Sequence, residues 1–284
     1  MITAIFPEGD IAMKKIFCAL LIVATVATLT YGSVIMTARV GFLTRLNTTE
    51  EEFSRIIQDS QKMTGWNLLS NRHELYGVKF YDSLVAMLMA LDKREIDEIA
   101  LPEVVAGYIT DANPEYEICC MSQMRKPMSL ALGFKKDNAE LAWKFSRVIR
   151  ELEEDWTLPE LQGIYIYSSE RAKPVEFTKY EGADTVRIAV TGDIPPIDYI
   201  GADGSASGFN VALLAEIGRR LKVNIELVSI EAGARNTALM SGRVDAVFWY
   251  ETAQNNAWNL DATEGIILSE PYYSWNRFMH IKKK

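Results

Sequence analysis

The fold is decided by the stretch Leu239–Tyr273, which reads LMSGRVDAVFWYETAQNNAWNLDATEGIILSEPYY. Its first residues have the character of a helix end, and Gly242 marks the turn that follows. Val244–Tyr250 is apolar except for Asp245, which predicts a buried strand. A helix, a tight turn and a buried strand in this order are typical of α/β proteins.

The preceding residues continue the same alternation. Val186–Val190 and Val223–Ile230 have the composition of strands, and Phe209–Leu221 between them has the periodicity of an amphipathic helix. Strand–helix–strand units of this kind predict a sheet with mostly parallel strands.

A second copy of the pattern lies in the first half of the chain. ALDKREIDEIAL (Ala90–Leu101) aligns without gaps on ALMSGRVDAVFW (Ala238–Trp249), with matching Ala, Leu and Asp and coinciding apolar positions. The similarity indicates either two lobes of one topology or a chance likeness between two α/β units.

Several motifs in the second half occur together in one known family. They are Pro195-Pro196, Gly208-Phe209, Ser241-Gly242, Asp245, Ser269 and Pro271-Tyr272-Tyr273. In combination they resemble the first lobe of a bacterial extracellular solute-binding protein of family 3, the amino-acid-binding type. The resemblance implies an α/β, two-lobed type II periplasmic-binding-protein fold with a ligand cleft between the lobes. It also favours the two-lobe explanation of the repeated pattern.

The order of the segments differs from the family's usual order. Arg39–Tyr108 resembles the second lobe, and Lys136–Trp156 resembles the helices that return to the first lobe, yet both precede the first-lobe motifs. The resemblance therefore implies a circularly permuted chain. The alternative is a tandem remnant, in which the tail of one copy is fused to the head of another.

This interpretation predicts five segments along the chain. They are an extension plus signal peptide or membrane anchor (1–38), a second-lobe-like α/β domain (39–128), a return strand and helices (129–169), a linker (170–185) and a first-lobe-like α/β domain (186–284).

The N-terminal segment indicates export. Lys14 and Lys15 precede the apolar run Ile16–Leu29, which is the pattern of a secretory signal peptide. An uncleaved membrane anchor is the alternative, because apolar character persists to Met36. We expect a periplasmic or extracellular protein.

Composition limits the partners and cofactors. The 284 residues carry a net charge of −8 and a sequence pI near 5.0, which argues against nucleic-acid binding. Cys119 and Cys120 are adjacent in an apolar context and are interpreted as packing residues, with redox or metal roles as lesser alternatives. We expect no cofactor and no metal.

Ligands of open α/β sheets bind beyond the carboxyl ends of strands, where loops lead into helices. Four such segments supply candidate ligand contacts. Each also has a purely structural explanation, which in the order given below is a turn, a core residue, a solvated arginine and a helix cap. The segments are the Pro-Pro loop (Asp193, Ile197, Asp198, Tyr199), the end of the buried strand (Trp249, Tyr250, Glu251, Thr252), Arg235, and a helix N-terminus (Asn47, Thr48, Thr49).

The resemblance also exposes two departures from the family pattern. The family's carboxylate-binding Thr-x-x-Arg falls at Gln254–Ala257, which contains no Arg. The Asp that receives the ligand's ammonium falls at Pro102-Glu103, so Glu103 is a candidate substitute. The ligand class implied is an amino acid or a related small organic acid.

The expected function is that of an extracytoplasmic binding protein of an ABC importer. It would bind a small polar metabolite as a monomer and present it to a membrane permease. An extracytoplasmic ligand-sensing domain is the alternative. An enzyme such as a dehydratase on the same scaffold is a weaker one, because the chain has two His and no readable Ser-His or Cys-His arrangement.

Overall fold

The computed structural model describes residues 38–45, 48–63, 76–168, 174–201, 203–253 and 264–284. Within these ranges the strands are β1 (Ala38–Leu43), β2 (Tyr76–Tyr81), β3 (Glu98–Pro102), β4 (Tyr116–Lys135), β5 (Thr185–Val190), β6 (Asp193–Ile194), β7 (Asp198–Ile200), β8 (Ala206–Ser207), β9 (Asn224–Ser229), β10 (Ala246–Ala253), β11 (Ile266–Leu268) and β12 (Tyr273–Lys283).

The α-helices in the same ranges are α1 (Glu50–Met63), α2 (Leu84–Asp92), α3 (Glu103–Ala112), α4 (Ala139–Glu154), α5 (Thr157–Gln162), α6 (Phe209–Leu221) and α7 (Arg235–Met240). None of these helices combines the length and the apolar character that a membrane span requires. The predicted signal peptide or anchor, apart from Ala38, lies outside the described residues.

One large sheet runs through the molecule in the order β2-β1-β3-β12-β4-β10-β5-β9, and β11 pairs with β4. At one end β1 is parallel to β2 and β3, and at the other end β5 is parallel to β9 and β10. We call the group β1–β3 with its helices the N-lobe, and the group β5, β9 and β10 with its helices the C-lobe.

Two long antiparallel strands connect the lobes. The first half of β4 pairs with the part of β12 that borders β3, and the second half of β4 pairs with β10. The expected two-lobed α/β fold is confirmed. The return strand predicted at the start of the segment 129–169 is the end of the 20-residue β4, because the residues before it pair with β12 in the same antiparallel ladder.

The repeated sequence pattern corresponds to a repeated structure. Asp97 accepts hydrogen bonds from the backbone N–H and the guanidinium of Arg39, at 2.8–3.1 Å. Asp245 makes the same three contacts with Arg187, at the same distances. We call these two arrangements the Arg–Asp clasps. Each joins the first strand of a lobe to the start of its third strand.

The turns before the two clasped aspartates also match. Arg94 and Gly242 occupy aligned positions and both have positive φ, 58° and 74°. A left-handed residue at this point ends the helix and sends the chain back along the sheet. Gly adopts this conformation without strain, whereas Arg94 does so at a steric cost.

Candidate ligand-binding site between the two lobes

The loops at the carboxyl ends of the parallel strands of the two lobes are in direct contact. The backbone N–H of Ala232, in the C-lobe, donates to the carbonyl of Asp82 in the N-lobe at 3.1 Å. A Cβ on Gly233 would lie 2.7 Å from Oδ1 of Asp82, so these loops approach as closely as a glycine permits. The candidate site therefore lies at a tight junction between the lobes.

A buried ion pair crosses this junction. Nη1 of Arg45, in the loop after β1, lies 2.7 Å from Oε1 of Glu251 on β10, and their side chains are only 4% and 3% exposed. The indole N–H of Trp249 also donates to Oε1 of Glu251, at 3.2 Å. Sequence reasoning identified Glu251 but missed Arg45, which no motif marks.

Asp193 reaches from the C-lobe to the start of α2 in the N-lobe. Its Oδ2 accepts from the backbone N–H of Leu84 at 2.7 Å and from that of Val85 at 3.4 Å. A helix N-terminus is a favourable place for a carboxylate because its N–H groups are free and its dipole is positive. Burial nevertheless raises the pKa of Asp193, and the N–H groups of Leu84 and Val85 only partly oppose this.

Asp198 faces inward and supports the Pro-Pro loop. Its Oδ1 accepts from the hydroxyl of Thr191 at 2.9 Å and from the backbone N–H of Gly192 at 2.8 Å, and the residue is 1% exposed. Burial raises the pKa of Asp198 to about 6. Ile197, a candidate contact from the same loop, is 1% exposed and belongs to the hydrophobic core.

Arg235 is buried and binds carbonyl oxygens of its own lobe. Its Nε donates to the carbonyl of Ala232 at 2.9 Å, and its Nη1 donates to the carbonyl of Trp249. The guanidinium carbon lies 5.6 Å from the ring centre of Tyr250. Arg235 thus ties the loop after β9 to β10, and it is not the solvated helix arginine that the sequence left open.

A β-bulge changes the orientation of side chains on β10. The register with β4 shifts between Val247 and Tyr250, and Trp249 has a φ of 70°. Tyr250 consequently packs on the backbone of Gly133, where a Cβ would lie 2.2 Å from its ring. Trp249 is 3% exposed, and its ring centre lies 6.5 Å from that of Trp275 on β12.

The remaining candidate contacts are Tyr199, Thr252 and Glu103, and each has its own neighbours in the structure. The ring of Tyr199 lies 6.1 Å from that of Tyr108 in the N-lobe. Thr252 pairs with β4 at the end of β10. Glu103 begins α3 and lies 3.7 Å from Nη1 of Arg277.

At the predicted helix N-terminus, Thr49 and Glu52 form a capping box. The backbone N–H of Glu52 donates to Oγ1 of Thr49 at 3.2 Å, and the backbone N–H of Thr49 donates to Oε2 of Glu52 at 3.1 Å. Thr48 also contacts Oε2 of Glu52, at 3.4 Å. Asn47 lies outside the described residues.

The comparison with protein families identifies the C-lobe. Residues 186–283, about a third of the chain, match the model of the bacterial extracellular solute-binding proteins, family 3. This segment has the sequence pattern of the family 3 solute-binding proteins. The predicted resemblance is confirmed for this segment, and the family is described as one of extracellular solute-binding proteins.

Solved structures with a similar chain path include several ligand-binding proteins. A ligand-binding component of an ABC-type import system from Staphylococcus aureus, with zinc bound, shares 8% identity at a TM-score of 0.45. The match covers 87% of this chain and 66% of that one, just under two thirds. Comparison with curated proteins gives no match.

Two further structures show a similar degree of likeness. A methionine-binding protein shares 12% identity, with coverage of 87% and 83% and a TM-score of 0.40. An ancestral arginine-binding protein bound to arginine shares 14% identity, with coverage of 87% and 84% and a TM-score of 0.37. The two-lobed fold described above rests on the sheet topology of this chain itself.

Proposed function

We propose that the protein is an extracytoplasmic solute-binding protein that delivers a small polar metabolite to the permease of an ABC importer. The ligand class proposed is an amino acid or a related organic acid. The family 3 domain over 186–283 supports the solute-binding role. The buried charges at the lobe junction support the ligand class.

The observation that carries the proposal is the ion pair between Arg45 and Glu251. It brings one cation from the N-lobe and one carboxylate from the C-lobe to the same buried point. Charges are stable in a buried place only when they are paired and hydrogen-bonded. A zwitterionic solute satisfies the same two groups, with its carboxylate on Arg45 and its ammonium on Glu251.

In this proposal the ion pair and the ligand exclude one another. The lobes separate, the solute replaces the direct contact, and the lobes close on it as in the hinge closure of two-domain binding proteins. Arg45 then supplies the guanidinium that the family's Thr-x-x-Arg position lacks in this chain. Arg235 serves as a support, because its donors are already directed at two backbone carbonyls.

Asp193 is the second proposed contact. Its carboxylate bridges to the N-terminus of α2 across the junction. This contact forms only when the lobes are together, so Asp193 stabilises the closed arrangement. A ligand ammonium beside Asp193 would add to the attraction.

We also propose that the chain is circularly permuted, monomeric and exported through its N-terminal segment. The match to the family's domain lies at 186–283, after the N-lobe strands, which supports the permuted order. The N-lobe, the linker and the C-lobe would then be one complete binding protein. Attachment to the membrane through an uncleaved segment would instead suit a sensor.

The test is a thermal-shift screen of the purified protein against amino acids, small organic acids and polyamines. A ligand at 100-fold above its dissociation constant stabilises the folded state by about 2.7 kcal/mol. We expect a shift with zwitterions that is lost in Arg45→Met and in Glu251→Gln. The control Asp92→Asn removes an ion pair with Lys283, 2.7 Å long and half-exposed, on the N-lobe.

The control variant should keep the ligand shift of the unmodified protein. A shift that survives in both Arg45→Met and Glu251→Gln would show that the ligand binds elsewhere. Absence of any shift across the three chemical classes would count against a solute-binding role. A shift with polyamines alone would change the proposed ligand to a cation held by Glu251.

A further inference from the structure

A group of metal-ligating side chains lies outside the lobe junction, on the sheet of the N-lobe. Glu98 on β3, Cys120 on β4 and His280 on β12 each offer a ligand atom, and these atoms all lie within 4.8 Å of one another. The chain has only two His and three Cys, so the convergence of these residue types at one point is notable.

The sheet register explains why these residues meet. β12 lies between β3 and β4, and His280 is directly opposite Cys120 on one side and Ala100 on the other. Glu98 is two residues from Ala100 and therefore projects from the same face as His280. Oε2 of Glu98 lies 2.8 Å from Nδ1 of His280.

A β-bulge places a second thiol, that of Cys119, beside this group of three. The register shifts at this point, so that His280 pairs with Cys120 and Ile281 pairs with Ile118, which leaves Cys119 as the extra residue of β4. A bulge interrupts the strict alternation of side chains between the two faces of the strand. The two sulfur atoms of Cys119 and Cys120 consequently lie only 4.0 Å apart.

The distances suit a tetrahedral transition-metal ion. Two thiolates bound to one zinc ion at about 2.3 Å each lie about 3.8 Å from one another. The spacing of the cysteine sulfurs is close to this value. Imidazole and thiolate donors favour zinc and similar ions over magnesium or calcium, which prefer oxygen.

We propose that Glu98, Cys119, Cys120 and His280 form a structural site for Zn²⁺ or a similar divalent transition-metal ion. With Cys119 recruited as the fourth donor beside the three that already converge, the site has no open position for a substrate, which is the arrangement of structural rather than catalytic zinc. The ion ties β3 to β12 and β4. Because β4 and β12 are the strands that connect the lobes, the metal fixes the N-lobe ends of the hinge.

The site is independent of the proposed ligand cleft. Glu98 begins β3, and the carboxyl end of that strand leads toward the lobe junction, so the metal group lies at the opposite end of the strand. Metal binding therefore does not require Arg45 or Glu251. Failure of one proposal leaves the other intact.

The experiment uses Co²⁺ as a spectroscopic probe on the purified protein, kept reduced with a phosphine. We expect one Co²⁺ per chain, a thiolate-to-cobalt charge-transfer absorption, and displacement of Co²⁺ by Zn²⁺. Cys120→Ser and His280→Gln should each weaken binding at least tenfold, and Cys120→Ser should reduce the absorption. Asp92→Asn, on the same lobe, should leave both unchanged.

A second measurement needs no variant and so does not depend on how a variant folds. Zn²⁺ should slow the reaction of the reduced cysteines with a thiol reagent, because a metal-bound thiolate is a poorer nucleophile. The proposal would be overturned by absence of the charge-transfer absorption, by the same absorption in Cys120→Ser and His280→Gln, or by thiol reactivity that Zn²⁺ does not change.

Discussion

The buried pair of Arg45 and Glu251 gives a quantitative prediction about the junction between the lobes. Both side chains are almost fully buried, and their atoms are 2.7 Å apart. Removing one partner of a buried ion pair leaves an uncompensated charge, which costs about 3–5 kcal/mol. We expect Arg45→Met and Glu251→Gln each to lower the free energy of unfolding by about 3 kcal/mol.

The double variant should recover much of this loss. Arg45→Met with Glu251→Gln removes both charges, and the glutamine retains an acceptor for the indole N–H of Trp249. Replacing a whole buried pair is often nearly neutral. The double-mutant cycle should therefore give a coupling energy of at least about 2 kcal/mol.

Urea unfolding of the four proteins measures these quantities, and thermal melting supports them. A loss of about 3 kcal/mol corresponds to a decrease of about 6–12 °C in Tm for a chain of this size. Small-angle scattering adds a conformational readout, because separation of the lobes would let water reach the remaining charge. Each single variant should then have a larger radius of gyration than the double variant.

Two results would refute the reasoning about this pair. One is a coupling energy below about 0.5 kcal/mol, which is the range of exposed ion pairs. The other is a radius of gyration that is identical in all four proteins. Either result would mean that Arg45 and Glu251 do not hold the lobes together.

Three further predictions concern single residues. Burial raises the pKa of Asp198 to about 6, above its unfolded value near 3.9. Its contribution to stability is therefore greatest at low pH and is lost as pH rises from about 4 to 6. In urea titrations, the free energy of unfolding of the unmodified protein minus that of Asp198→Asn should fall by roughly 2–3 kcal/mol over this interval. Gly133→Ala should lower the free energy of unfolding by at least about 3 kcal/mol, because the new Cβ would overlap the ring of Tyr250. Gly107→Ala, whose Cβ would meet nothing within 4 Å, should instead stabilise α3 by about 0.5–1 kcal/mol. Equal melting temperatures for the two variants would contradict this. The Cβ of Gly242→Ala meets no atom within 4 Å, but alanine is forced into positive φ. The free energy of unfolding in urea should therefore fall by about 1–2 kcal/mol. No loss would show that the turn relaxes.

Local patterns in the sequence predict much of the fold. The repeated segments Ala90–Leu101 and Ala238–Trp249 do form the same unit in both lobes, because each contains its own helix end, turn and buried strand. The helix cap offered for Thr49 also forms, as a capping box with Glu52. These features depend on residues within a few positions of one another.

The features that sequence reasoning missed depend on contacts between distant residues. Arg45 follows a short strand without any motif, and its partner Glu251 is on the other lobe. Glu98 and His280 are 182 residues apart and meet only because β3 and β12 are neighbours in a particular register. No local spacing could have identified either contact.

The inward position of Tyr250 has a different cause. Strict alternation along β10 predicts the orientation of each side chain from its neighbour, but the bulge at Trp249 interrupts the alternation. A positive φ at a tryptophan has no signal in the sequence, because few non-glycine residues adopt this conformation and tryptophan is not among the types enriched in it. The ligand contacts predicted on this strand therefore remain predictions.

The two Arg–Asp clasps have a consequence for how the chain reaches its fold. Since the two clasps share one geometry, Arg39 could pair with Asp245 as well as with Asp97. A collapsing chain therefore contains two equivalent arginines and two equivalent aspartates that could pair in either combination. Both native pairs close loops of the same length, with partners 58 residues apart. The swapped pair Arg39–Asp245 closes a loop roughly 3.5 times longer, which costs about 1 kcal/mol more in chain entropy. Proximity along the chain, rather than the chemistry of the contact, thus decides which arginine pairs with which aspartate, and so keeps the strands of each lobe together.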